Sequence, residues 1–149
     1  MRIVVQRVKK ASVIVDNVVI NSIKQGYVLL VGFDKKDNRE IVERLAEKIK
    51  NLRIFSDKEG KMNLSIEDTG GEILSVSQFT LYANLTTGRR PSFTQSASAE
   101  VAKLLYEYFN ECLIKLELEV KTGIFQAEML VNIENDGPVT VIFDSEDFV

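Results

Sequence analysis

Residues 26–33 read GYVLLVGF. No polar side chain interrupts the run, so neither face of a strand built from it can be a solvent face. At this length the stretch is predicted to be a strand buried on both sides. Upstream, Arg2 to Val8 alternates loosely, Ala11 to Val15 follows, and Asp16-Asn17 forms a turn before Val18 to Ile20. Downstream, Lys35 to Asn38 is a polar loop. A helix is expected from about Asn38 to Asn51, because Ile41, Val42, Leu45, Ala46, Ile49 and Leu52 share one face. Asp37 with Glu40 resembles a capping box at its start.

FSDKEGKMNLSIEDTGG (55–71) is expected to be loop-rich, with turns at Asp57–Gly60 and Gly70-Gly71. Glu72 to Phe79 returns to strand, and Tyr82 to Ser96 is a polar loop. Ser98 can cap a second amphipathic helix reaching about Leu116, with Ala102, Leu105, Tyr106 and Phe109 inward. Glu119 to Thr122, Ala127 to Glu134 and Val139 to Asp144 are expected to be the closing strands. Without repeats or linkers, residues 1–149 are expected to form one α+β domain. Its mixed, strongly curved sheet should approach a barrel covered by two amphipathic helices.

Composition narrows the chemistry. The chain of 149 residues is 45% apolar and 28% charged, in the range of an ordinary globular protein. It contains no histidine, which removes Ser-His and Cys-His triads and His-ligated metal sites. No metal and no cofactor is expected. The single cysteine, Cys112, lies on the apolar side of the second helix and is expected to be a core thiol. The net charge of −3 gives no global basic field for duplex binding, though a small site could still meet one RNA end. MRIVVQRVKK lacks the apolar run of a signal peptide, and no stretch reaches the length of a membrane span. A cytosolic, cytoplasmic location is the expectation.

The familiar phosphate-loop, dinucleotide, Cys-x-x-Cys and nucleophile-elbow motifs are missing. What stands out is SVSQFTLYANLTTGRRPSF (75–93), small polar residues mixed into an apolar strand end. One reading is a half-exposed strand whose polar face sees water. The other is a site where backbone N–H groups after Gln78 become free as the strand ends and stabilise an oxyanion. NIENDGPVTVIF (132–143) adds a Gly-Pro bond where a plain Asp-Gly turn would suffice.

Together VSQFTL (76–81), GRRPSF (88–93) and NDGPVT (135–140) resemble the D-aminoacyl-tRNA deacylase family. VQRV (5–8), RIFSD (53–57), GKMNLS (60–65) and KTGIF (121–125) extend the likeness over essentially the whole chain. The resemblance implies hydrolysis of the ester joining a D-amino acid, or glycine, to the terminal adenosine of tRNA. It implies a homodimer with active sites at the interface and the aminoacylated acceptor end of tRNA as partner. Ser77, Gln78, Phe79 and Thr80 would line the site, and Gly137-Pro138 would enter from the other subunit.

The family likeness further implies a cis Gly-Pro bond whose two carbonyls hold the substrate ammonium. An L side chain would then strike that wall, which is specificity by clash. The N–H groups of Phe79 and Thr80 would hold the ester carbonyl, with the ribose 2′-OH assisting a water. Arg7 resembles the arginine that braces the Gly-Pro segment; by residue type alone it could equally be an edge-strand surface charge. Arg89 and Arg90 sit where an acceptor-end phosphate could be met, or else on a solvated loop. Phe125 and Met129 match positions near the adenosine, or else are core. Gln126 departs from the family's usual Gly or Ala, where a longer side chain would narrow the adenosine pocket. A binding module without hydrolysis, or a structural dimer, would share these residues.

Overall fold

A computed structural model describes residues 1–148. Its centre is the strand that the opening stretch predicts: β3 (Gly26–Gly32), with both faces buried. It lies antiparallel to β1 (Arg2–Val15) and parallel to β6 (Glu72–Ser77). Tyr27, Leu29 and Val31 pack with Ile73 against α1 (Arg39–Lys50) and α3 (Ala99–Lys115). Val28 and Leu30 turn the other way, towards Val13, Leu74 and Val76 in a second apolar cluster. One strand therefore separates a helix-covered core from a core enclosed by the curling sheet.

The sheet runs β2-β1-β3-β6-β7, with β2 spanning Val18–Ile23 and β7 spanning Glu119–Thr122. Its two ends approach each other without a backbone ladder between them. Side chains bridge the seam instead. Asn21 Nδ2 donates to the Thr122 carbonyl at 2.6 Å and Lys121 Nζ to the Ser22 carbonyl at 3.0 Å. Glu72 accepts from the Lys24 N–H at 2.6 Å and from Lys121 Nζ at 2.9 Å. These bonds hold the Glu72 carboxyl below its usual range, the Lys24 N–H contributing most. The α+β sheet nearly closed into a barrel agrees with the sequence reading.

Several local expectations are corrected. The 55–71 segment is not mainly loop: β4 (Arg53–Ser56) pairs with β5 (Met62–Ser65), and a short third helix, α2 (Ile66–Thr69), follows. Ser65 and Asp68 form a reciprocal capping box there, which stops the chain from continuing extended. At α1 the cap is Asn38, whose side chain accepts from Ile41 N–H. Asp37 instead binds the terminal ammonium of Met1 and the Asp34 N–H, so Asp37-Glu40 is no capping box.

The last two predicted strands are one, β8 (Leu130–Asp144), paired along β1. Asp136-Gly137-Pro138 makes no hairpin. Along β1 the register moves from Gln6 to Val8 while β8 moves from Thr140 to Asn135, so residues 136–139 bulge out of the ladder. The Gly137-Pro138 peptide is cis.

Candidate active site

β6 ends on a last backbone rung, with Gln78 N–H donating to the Val31 carbonyl at 2.7 Å. The chain then tightens into a 3-10 turn over Phe79–Tyr82. Strand alternation therefore stops at Ser77, earlier than the sequence pattern predicts, and Phe79 and Thr80 do not occupy opposite faces of a strand. The opening donors of a helical turn have no partner inside it. Leu81 N–H donates back to Gln78 and Ala83 N–H to Thr80, but the N–H groups of Phe79 and Thr80 meet no protein acceptor among the described residues. Two adjacent unspent donors thus stand at the end of a buried strand.

The surroundings hold this turn in place. Phe79, 55% exposed, sets its ring edge-on to Phe93 at 5.0 Å, and Ser96 Oγ donates to the Phe79 carbonyl at 3.2 Å. Gln78 Nε2 donates to the Thr80 hydroxyl. That partner is a neutral carboxamide, which cannot remove the hydroxyl proton and so cannot make Thr80 a strong nucleophile.

Beside the turn lies a cavity of about 530 Å³, within the size range of small-ligand sites. Ser77, Gln78, Phe79, Phe125, Gln126 and Met129 are among its lining residues, as are Ala99 and Ala102 of α3; Thr80, expected to line the site, lies one residue beyond Phe79 on the turn. Phe125 is backed by Tyr106, with ring centroids 5.9 Å apart. Tyr106 in turn donates its hydroxyl to the Ser75 carbonyl at 2.7 Å, and burial raises its pKa. Met129 fits because Gly123 has no side chain: a Cβ there would lie 2.6 Å from Met129 Sδ. Tyr106 is the supporting residue that the sequence reading placed only as a core position.

Gly137 and Pro138 do not line this cavity; both are exposed on the bulge of β8. Arg7 sits behind them and is no surface charge, being only 8% exposed. Its Nε donates to the Asp136 carbonyl at 3.0 Å and its Nη1 to the Ile54 carbonyl at 2.6 Å, with an Asp136 carboxylate oxygen 3.6 Å from Nε. Gly137, at φ +124°, could not carry a Cβ without bringing it to 3.0 Å from Arg7 Nη2 and 2.9 Å from Val139 Cγ2. Arg89 and Arg90 are exposed on a loop pinched by the Asn84–Ser92 backbone pair and are not among the lining residues of the cavity. Cys112 is buried, and that burial raises its pKa, as befits a core thiol. Among the described residues, no group of His, Cys, Asp or Glu is placed to hold a metal, and no helix is long and apolar enough to cross a membrane.

Known proteins share both sequence and shape with this chain. A family model described as D-Tyr-tRNA(Tyr) deacylase matches residues 4–144. A D-aminoacyl-tRNA deacylase of Desulfotalea psychrophila is 52% identical, covering 98% of both chains. One from Staphylococcus saprophyticus is 54% identical, covering 99% of this chain and 97% of the relative. Among solved structures, a c-Myc DNA unwinding element binding protein superposes with a TM-score of 0.91 at 42% identity, covering 97% of this chain and 98% of that one. A probable eukaryotic D-amino acid tRNA deacylase shares the fold, with a TM-score of 0.84 at 17% identity over 95% of this chain and 97% of that one.

Proposed function

Because the chain belongs to the D-aminoacyl-tRNA deacylase family and is an enzyme of that class, we propose how its geometry removes D-amino acids from tRNA. The observation that carries the reading is the pair of unspent N–H groups of Phe79 and Thr80 beside the cavity. Aimed at one ester carbonyl, they stabilise the oxyanion that develops as water attacks, commonly the largest single catalytic contribution. The ribose 2′-OH beside the ester assists that water, since the residues lining the cavity include no carboxylate, lysine or histidine. Ser77 and Gln78 position the turn and the substrate. Phe125 and Met129 take the terminal nucleoside, and Arg89 and Arg90 meet a phosphate of the acceptor end.

Handedness is sorted by a second copy of the chain. Gly137 and Pro138 stand outside their own cavity on an exposed bulge, so they reach a substrate only by entering a partner's site. Exposed Leu130 and Ile142 on the same strand give such a homodimer apolar surface to cover. Arg7 braces the bulge from behind, making it a stiff wall. A D side chain, or the hydrogen of glycine, points away from that wall, whereas an L side chain strikes it. Glycine mischarged on a non-cognate tRNA is therefore also released, and the work serves cytoplasmic translation quality control.

The test is ester loss from D-tyrosyl-tRNA and L-tyrosyl-tRNA. Rapid loss from the D-ester alone is expected; tight binding with the ester retained would make the protein a binding module. Thr80→Ala should keep most of the activity, and complete loss with folding and binding intact would assign the hydroxyl a covalent role.

A further inference from the structure

Phe125 and Gln126 are the central residues of a turn closed by Ala127 N–H donating to the Ile124 carbonyl at 3.2 Å. Gln126 adopts φ +65°. That is the left-handed conformation that glycine supplies at this turn position without steric cost. The other non-glycine residues with positive φ have ordinary structural reasons. Asp16 and Asn17 make the β1–β2 turn, and Glu117 follows the end of α3. Gln126 caps no helix, and the strands on either side of it pair with other strands, not with each other.

Gln126 is exposed and is among the residues that line the cavity. Of those lining residues only Ser77, Gln78 and Gln126 have polar side chains, and the rest are alanine, valine, phenylalanine and methionine. The Gln78 carboxamide is engaged with Thr80. The Gln126 carboxamide hydrogen-bonds to no protein group among the described residues, so its paired donor and acceptor remain available. Of the two groups flanking the ester, the adenosine always combines a flat apolar body with an adjacent donor and acceptor on one edge. A carboxamide matches that edge with two hydrogen bonds.

Resting on the deacylase reading, we propose that Gln126 is a specificity-determining residue that reads the hydrogen-bonding edge of the terminal adenine. The apolar walls of Phe125 and Met129 hold the purine faces while the carboxamide engages its exocyclic amine and neighbouring ring nitrogen.

The test uses 3′-deoxy-3′-(D-tyrosylamino)adenosine and its inosine counterpart, in which the exocyclic amine is replaced by a carbonyl. Calorimetric binding is compared for the full-length protein, Gln126→Gly and Gln126→Leu. The unaltered protein should prefer the adenosine compound on the order of tenfold. Both variants should bind the two compounds within about twofold of each other, with KM for D-tyrosyl-tRNA raised and kcat kept. Gln126→Gly should unfold at no lower temperature, since glycine suits the turn; Gln126→Leu separates the loss of hydrogen bonds from the loss of bulk. Retained preference in the variants, or none in the unaltered protein while it still cleaves D-tyrosyl-tRNA, overturns this assignment alone. Failure of the unaltered protein both to cleave that ester and to bind either compound overturns the deacylase reading with it.

Discussion

Two places in this molecule interrupt a sheet, and they are finished in opposite ways. Where β6 ends, the ladder stops and two N–H groups are left with no protein partner among the described residues. Where β8 bulges, the displaced Asp136 carbonyl is taken up by a buried arginine that also holds Ile54. The first interruption has hydrogen-bonding capacity to offer a ligand. At the second, the Asp136 carbonyl is satisfied from inside, and what faces outward is the exposed Gly137-Pro138 corner. An unsatisfied strand end is suited to stabilise charge, and a braced bulge is suited to exclude a side chain.

The largest effect should come from unbracing the bulge. Arg7→Met leaves two carbonyls without their charged donor and should cost about 3 kcal/mol in urea unfolding. It should also slow D-tyrosyl-tRNA cleavage severely. Arg7→Lys should not restore stability, because one ammonium cannot reproduce the fork that reaches both carbonyls. A stability loss below about 1 kcal/mol for Arg7→Met would mean that the bulge holds itself without the arginine.

Next comes Gly137→Ala, which puts a methyl against Val139 and Arg7 at φ +124°. A cost of about 2 kcal/mol is expected, together with impaired cleavage of D- and glycyl esters. Loss of stability with unchanged turnover would reduce the bulge to an interface feature and leave handedness to be explained elsewhere.

The opposite end of β6 gives a smaller, pH-dependent effect. Glu72 has a lowered pKa in the fold because it accepts from Lys24 N–H and Lys121. Its contribution is therefore present above the unfolded carboxyl value of about 4.3 and fades as pH falls through the lower folded value. Glu72→Gln should cost about 1 kcal/mol at neutral pH, and the gap to the unaltered protein should narrow in acid. A gap independent of pH would show that the seam is held by packing alone.

The smallest change is expected for Tyr106→Phe, about 0.5 kcal/mol, because the Ser75 carbonyl keeps the Gly123 N–H at 3.2 Å. Substrate KM should not move, since the ring behind Phe125 remains. Tyr106→Leu removes that ring and should raise KM while sparing kcat; an equal fall in kcat would mean that the cavity wall also sets the oxyanion donors.

Much of the architecture was legible because burial leaves a period in the letters. GYVLLVGF admits no solvent face, residues 39–50 place their apolar side chains on a single face, and 99–115 bury Ala102, Leu105, Tyr106 and Phe109 while leaving Val101, Leu104 and Ile114 exposed. The β4–β5 pair and α2 were hidden because each element is only four residues long, too short to show a period, and turn signals dominate their composition. Asp37 looked like a cap until the Met1 ammonium, 36 positions away in sequence, came to rest on it. Of the site, Ser77, Gln78, Phe79, Phe125 and Met129 come together around one cavity, whereas Gly137 and Pro138 stand apart from it on the same chain.

By itself the sequence determined which chemistries are closed to this protein and which strands are buried, because residue type and period are local properties. A chain without histidine must draw any general base from a carboxylate, a lysine, water or its substrate, whatever its fold. Only the tertiary structure decided that β6 tightens at Phe79, that residues 130–144 are one bulged strand, and that Arg7 lies beneath the bulge. Each of those depends on which distant backbone group is left to satisfy, and hydrogen-bond supply is settled only when remote strands meet.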